Sequence, residues 1–120
     1  MLGLRTILYP APDILRGKAF YTEVLGRPPY FDEPFYVGFE AAGFELGLIP
    51  DAIPGTTGAR AYWGVDDIEG ELARLLALGA VPHEPIQDVG EGIKHAAVLD
   101  PFGNVFGIIH NPHFSAERVR

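Results

Sequence analysis

At 120 residues, with 48% hydrophobic residues, a formal net charge of −7 and no cysteine, the chain is predicted to fold as one domain with a sizeable core. The acidic balance argues against nucleic acid or an anionic membrane surface as a partner, and the lack of cysteine excludes disulfides, a thiolate nucleophile and thiolate-bound zinc. Neither a basic leader with an apolar stretch nor a run of membrane-spanning length is present, which predicts a cytoplasmic protein.

The first half of the chain shows the pattern of one β-α-β-β-β module. Asp13 is predicted as a helix N-cap, and Gly26 as the residue that stops the same helix. Apolar residues at three- and four-residue spacings predict its buried face: Leu15, Ala19, Phe20, Val24 and Leu25. The predicted elements are a strand at residues 4–9, a helix at 14–25, and strands at 30–31, 34–40 and 44–49.

The second half repeats this pattern after a turn-rich segment at residues 51–58, which is predicted to be a linker with little to pack against. Asp67 is a second predicted N-cap and Gly79 a second helix stop. The strands are predicted at residues 59–65, 84–89, 93–99 and 105–109. Since a helix covers only one face of each small sheet, two modules are needed to bury both faces. The domain is therefore divided into module one (about 1–52), the linker, module two (about 59–112) and a tail (113–120).

The turn between the last two strands has the sequence D-P-F-G-N at residues 100–104, and the first helix region reads P-D-I-L-R-G-K-A-F-Y-T-E-V-L-G at residues 12–26. With these segments the chain resembles the vicinal oxygen chelate superfamily of glyoxalases, bleomycin-resistance proteins and extradiol dioxygenases. The resemblance extends to about Pro112. It implies an α+β fold in which two tandem β-α-β-β-β modules form a curved mixed sheet around one cavity.

The resemblance also implies a divalent metal held by His, Gln or Glu on four strands. The positions seven residues before each capping Asp hold Thr6 and Arg60, and the position three residues after the turn Asn holds Gly107. The fourth position is Glu45 or, in a slightly different register, Gly47. At best one carboxylate remains, whereas a catalytic transition metal takes three protein ligands. The sequence therefore predicts no metal site of this type and no cofactor.

Four histidines might rebuild such a site elsewhere in the chain. His83 is assigned to a loop, and His110 and His113 flank a proline that prevents regular helical pairing, so none of the three is interpreted as a ligand. His95 lies within a predicted strand and faces the core or the cavity if Lys94 faces solvent. It is then an acid, a base or a satisfied polar group. Glu45 and His95 are the candidate catalytic residues.

Strand alternation predicts a mostly apolar bowl of the kind that binds small molecules. Its predicted lining is Thr6, Leu8, Glu45, Arg60, Tyr62, Gly107 and Ile109. The guanidinium of Arg60 suits a carboxylate or phosphate, and the alternative is an internal ion pair with Glu45. Tyr9, Phe39 and Trp63 are expected in the helix-packing core. Four further aromatic residues are expected either to cap the pocket or to form an oligomer contact: Tyr30, Phe31, Phe35 and Tyr36.

Three functions are compatible with these patterns. The first, which the sequence favours, is a metal-free protein that binds a small organic molecule, with an anion as one class of ligand. The second is a lactoylglutathione-lyase-like isomerase, another lyase or a dioxygenase, with Glu45 and His95 or a rebuilt nickel, zinc or iron site. The third is a non-catalytic interaction subunit with a vestigial pocket. The resemblance further implies a homodimer.

Overall fold

The computed structural model describes residues 3–118. By its contacts the chain forms two compact units. The N-terminal unit contains Leu4–Thr56 and the short segment Pro101–Asn104, and the C-terminal unit contains Thr57–Asp100 and residues 105–118. Within the described residues each unit holds one α-helix and one four-stranded sheet. The predicted α+β fold with two tandem β-α-β-β-β modules is thereby confirmed.

In the N-terminal unit the elements are β1 (Thr6–Pro10), α1 (Ile14–Leu25), β2 (Phe31–Glu33), β3 (Tyr36–Ala41) and β4 (Phe44–Ile49). Its sheet has the order β1-β4-β3-β2, with β1 and β4 parallel and the other pairs antiparallel. The C-terminal unit contains β5 (Tyr62–Gly64), α2 (Ile68–Ala77), β6 (Val81–Gly90), β7 (Ile93–Leu99), β8 (Val105–His110) and a 3-10 helix (Ala116–Arg118). Its sheet has the order β5-β8-β7-β6, again with one parallel pair, β5 and β8.

Helix α1 begins and ends where the capping residues predict. The Asp13 carboxylate accepts from the Arg16 amide at 3.2 Å, and the Gly26 amide, at φ 70°, donates to the Thr22 carbonyl at 2.9 Å. Neither helix, at 12 and 10 residues, is long enough to cross a membrane, and no other helix within residues 3–118 is.

The buried face of α1 differs from the predicted one. Gly17, Phe20, Tyr21 and Val24 are buried, whereas Leu15 is 73% exposed. The difference comes from Tyr21, which was not among the apolar residues of the predicted face. Its ring is fully buried and stacks on that of Tyr9 in β1 at a centroid distance of 5.6 Å. With Tyr21 on the buried face, Leu15 lies on the outward face of the helix.

One face of the N-terminal sheet packs against α1. Tyr9, Phe39, Leu46 and Leu48 are at most 5% exposed. This agrees with the prediction that Tyr9 and Phe39 belong to the core. In the C-terminal unit Trp63 stacks on Phe106 at 5.6 Å. The alternation along each strand therefore leaves the other face of the first sheet for polar residues.

Two strands of the C-terminal unit differ from their predicted bounds. Strand β5 is only three residues long and begins at Tyr62. Strand β6 is longer than predicted and takes in His83, Pro82 and Pro85. It lies at the edge of its sheet, where proline is tolerated, and its pairing with β7 has register shifts on both sides of Glu84.

The turn at residues 100–104 carries a buried asparagine. Asn104 is 4% exposed; its Nδ2 donates to the Pro10 carbonyl at 2.7 Å and its Oδ1 accepts from the Gly55 amide at 3.2 Å. The segment predicted to be a linker with little to pack against is thus anchored through Gly55. The predicted tail contains the 3-10 helix, and residues 119 and 120 lie outside the described range.

Candidate functional site

Glu45, on β4, binds three hydroxyl groups. The Tyr36 hydroxyl donates to Oε1 at 2.6 Å, the Thr6 hydroxyl donates to Oε1 at 3.3 Å, and the Tyr30 hydroxyl donates to Oε2. These four residues come from β1, β3, β4 and the segment before β2, and we call them the Glu45 cluster. Burial raises the pKa of Tyr36, so its hydroxyl keeps its proton and donates at neutral pH.

Two glycines form the floor beneath this cluster. Gly38 and Gly47 face each other across β3 and β4. A Cβ at Gly47 would overlap the Tyr36 hydroxyl and lie 2.7 Å from its Cζ, and a Cβ at Gly38 would lie 3.1 Å from Glu45 Oε2. Because both side chains are absent, the tyrosine ring lies close to the sheet and its hydroxyl reaches the carboxylate.

An open depression of about 420 Å³ lies beside the cluster on the N-terminal unit. Its lining residues are Arg5, Thr6, Tyr30, Glu40, Gly43, Phe44 and Glu45. Glu40 forms ion pairs with Arg27 and accepts from the Gly43 amide at 2.6 Å, which fixes the β3–β4 turn at the rim. Leu8, 48% exposed, lies next to Gly47 on the same sheet face. The depression combines the carboxylates of Glu40 and Glu45 and the guanidinium of Arg5 with aromatic surface, and it is large enough for a small organic molecule.

In the C-terminal unit Arg60 forms an ion pair with Glu84. The ion-pair partner that the sequence suggested for Arg60 was Glu45, so the partner differs from the predicted one. Hydrogen bonds to Tyr62 and Glu84 raise the pKa of Arg60, so its charge is fixed. Tyr62, in turn, lies against His95 with ring centroids 5.5 Å apart. His95 Nδ1 is buried and has no hydrogen-bond partner within residues 3–118. His95 and Glu45, the two candidate catalytic residues, belong to different units.

Gly107 pairs with Tyr62 across β8 and β5, and Ile109 pairs with His95 across β8 and β7. A Cβ at Gly107 would lie 2.6 Å from the Ala61 carbonyl oxygen and 2.7 Å from Tyr62 Cδ1. The space in which the resemblance implies a carboxylate is therefore filled by the ring of Tyr62.

The strand registers also identify the counterpart of Gly107 in the first module. Leu8 pairs with Gly47 and Tyr62 pairs with Gly107, and both Leu8 and Tyr62 stand five residues before a capping aspartate. Gly47 is therefore the counterpart of Gly107, and Glu45 lies two residues earlier on its strand.

The remaining histidines have structural partners or lie at the surface. His110 Nδ1 is 3.2 Å from the Val65 carbonyl, His113 Nε2 is 2.9 Å from the Glu91 carbonyl, and His83 is exposed on β6. Within residues 3–118, no three His, Asp or Glu side chains lie close enough together to hold a metal ion.

From the sequence, Tyr30 and Tyr36 were expected either to cap the pocket or to form an oligomer contact. The structure places both hydroxyls on Glu45, while Phe31 and Phe35 stay 42% and 66% exposed. The glycines within β3 and β4 could have indicated this arrangement from the sequence, because a glycine inside a strand marks a close approach by another group.

Replacing Gly47 with alanine is expected to displace the Tyr36 hydroxyl from Glu45 and to lower the free energy of unfolding by about 1–2 kcal/mol, roughly the worth of a hydrogen bond to a charged group. A double-mutant cycle with Tyr36→Ala, followed by urea denaturation, measures this coupling. In the Tyr36→Ala background the glycine replacement is expected to cost much less, because only the end of the half-exposed Leu8 side chain, 2.8 Å from the new Cβ, then has to move. An equal cost in both backgrounds would show that Tyr36 does not need the glycine.

The chain is similar to known proteins, both by a family model and by solved structures. The family model described as a glyoxalase-like domain matches residues 6–109. The fosfomycin resistance protein FosX from Listeria monocytogenes has a similar structure, with a TM-score of 0.78, 16% identity, and coverage of 100% of this chain and 99% of its own. A lactoylglutathione lyase from Agrobacterium tumefaciens has a TM-score of 0.73 and 22% identity, and the match covers 93% of this chain and 97% of that protein.

A glyoxalase-related enzyme from Fulvimarina pelagi gives a TM-score of 0.74 at 22% identity and covers 93% of this chain and 90% of its own. No curated protein matches this chain by sequence. At these identities the likeness of the solved structures establishes the fold alone.

Proposed function

Because this chain belongs to the family of glyoxalase-like domains, we propose that it binds a small organic molecule in the depression beside Glu45, and that it does so without a metal. The observation that carries the proposal is the composition of that depression. It offers a carboxylate, that of Glu45, held by three hydroxyls and not engaged in an ion pair within residues 3–118, next to the exposed ring of Tyr30, within about 420 Å³. Apolar surface with a few fixed polar groups is typical of small-molecule sites.

The residues at the family's metal positions do not fit a transition metal. In the N-terminal unit, Thr6 is a neutral hydroxyl that donates to Glu45, and Gly47 has no side chain. Glu45, two residues before Gly47, already accepts hydrogen bonds at both oxygens. In the C-terminal unit, Arg60 is a cation paired with Glu84, and Gly107 has neither a side chain nor space for one. One carboxylate is too few for such a metal, which takes three protein ligands.

Calorimetric titration of the chelator-treated protein with Ni²⁺, Zn²⁺ and Fe²⁺ is expected to show no binding tighter than about 1 µM, which corresponds to about 8 kcal/mol. The physical reason is the donor set described above. A stoichiometric site tighter than this, with an affinity that falls in Glu45→Gln, would contradict the proposal. Lactoylglutathione lyase and dioxygenase assays would then follow.

Ligand binding itself is tested by NMR, with a library of small aromatic and aliphatic fragments added to the full chain in the presence of a chelator. Fragments that bind in the depression are expected to shift the backbone amides of Gly43 and Phe44 in a saturable way, because both residues line it. If no fragment shifts either amide, the proposed function is wrong, and the interaction-subunit hypothesis takes its place.

A further inference from the structure

All side-chain donors of the Glu45 cluster are engaged within the cluster, so it presents only hydrogen-bond acceptors to a ligand. Each of its hydroxyls has one proton, and all three protons point at the same carboxylate. What is left for a ligand is the lone pairs of Thr6, Tyr30 and Tyr36, together with the remaining acceptor site of Glu45. A ligand that binds here must therefore bring donors.

The charge of the cluster is also left without a counter-ion. Glu40, the other acidic residue of the lining, is paired with Arg27. Glu45 has only neutral hydroxyl partners and forms no ion pair with a side chain of the described residues. Arg5 also lines the depression and carries a positive charge; its Nη1 donates to the Leu4 carbonyl at 3.1 Å, and no ion pair joins it to Glu45. A part-buried carboxylate without a cation favours a positively charged group brought by a ligand.

Aromatic and aliphatic surface surrounds this acceptor group. The ring of Tyr30 is 64% exposed, Phe44 lines the depression, and Leu8 is 48% exposed on the same sheet face. Such surface buries the apolar body of a ligand, and an aromatic face attracts a cation in addition.

We propose that the depression selects an organic cation, namely an ammonium or amidinium group carried on a compact apolar body. This inference rests on the function proposed above and names the chemical class of its ligand. It differs from the anionic class that Arg60 suggested in the sequence. Arg60 belongs to the other unit, and its guanidinium is engaged by Glu84 and Tyr62.

The test uses three probes of the same shape and different charge: benzylammonium, benzyl alcohol and benzoate. Each is titrated into the full chain at pH 7 in low salt, and the amide shifts of Gly43 and Phe44 are followed. Benzylammonium is expected to bind about tenfold more tightly than benzyl alcohol, and benzoate more weakly than either, because only the cation forms a charge-assisted hydrogen bond.

Glu45→Gln is expected to abolish this preference, bringing benzylammonium to the level of the alcohol. The matched control is Glu69→Gln, which makes the same charge change on α2, where Glu69 lies 3.5 Å from Lys94; it is expected to leave all three affinities unchanged. If circular dichroism shows that Glu45→Gln does not fold, the unmodified protein is titrated at higher salt instead, where screening of the carboxylate is expected to reduce the preference for benzylammonium over benzyl alcohol about threefold, and a preference that does not change with salt would contradict the inference on charge.

The outcomes separate the two proposals. If benzoate or benzyl alcohol shifts these amides with an affinity equal to that of benzylammonium, the inference on charge is overturned and the binding function stands. If neither the three probes nor the fragment library shifts them, both proposals fail.

Discussion

Gly107→Ala is expected to lower the free energy of unfolding by about 2–4 kcal/mol, through overpacking and the loss of a strand hydrogen bond. The new Cβ would lie 2.6 Å from the Ala61 carbonyl oxygen, and the Gly107 amide donates to that same oxygen at 3.2 Å. Since the obstacle is a backbone atom, relief requires β5 to move away from β8. Equilibrium denaturation with urea, monitored by the fluorescence of Trp63 in β5, measures the loss.

Gly64→Ala is the matched control for this experiment. Gly64 lies on the same strand β5, and a Cβ built there meets no atom within 4 Å. Its replacement is expected to change the stability by less than about 0.5 kcal/mol. Equal effects at Gly64 and Gly107 would contradict the close approach of Ala61 and Tyr62 to β8.

Asn104→Ala is expected to cost about 2–4 kcal/mol, because it leaves the Pro10 carbonyl and the Gly55 amide without their partner. The asparagine is 4% exposed, so water replaces these bonds poorly. Thermal and urea unfolding measure the change in stability. Hydrogen exchange at the Gly55 amide is expected to accelerate in the variant, which locates the effect.

Two variants sharpen this prediction. Asn104→Asp keeps an acceptor for Gly55 and loses the donor to Pro10, so its exchange at Gly55 is expected to stay slow while part of the stability is lost. Asn111→Ala removes an exposed side chain whose Oδ1 accepts from the His113 amide at 2.9 Å; it is expected to cost less than about 1 kcal/mol. A similar cost for Asn111 and Asn104 would contradict the anchoring role.

Local chemistry made much of the fold predictable. The bounds of α1 follow from Asp13 and Gly26, whose capping depends only on neighbouring residues. The bounds of β7 at Ile93–Leu99 agree with the predicted arm of the hairpin, because the apolar run and the turn that follows it are also neighbours in sequence. Strand β6 was less predictable, because proline argues against a strand unless the strand lies at a sheet edge, and edge position is a property of the whole sheet.

The site was predictable only in part. Glu45 was identified from its position on β4, but its partners Tyr30 and Tyr36 reach it across the bare backbone of Gly38 and Gly47. This geometry depends on strand pairing. The partner of Arg60 was missed because Glu84 sits between two register shifts in β6, where a count of alternating residues no longer gives the direction of a side chain.

The anchoring by Asn104 has a consequence for the order of folding. The hydrogen bonds of this residue join positions 94 and 49 residues apart in sequence, and the segment Pro101–Asn104 belongs to a unit otherwise made from the first half of the chain. During synthesis the N-terminal half emerges first and lacks this segment. We therefore expect its consolidation to wait until residues 101–104, which follow β7, have been translated, so that closure of this long loop is a late step of folding.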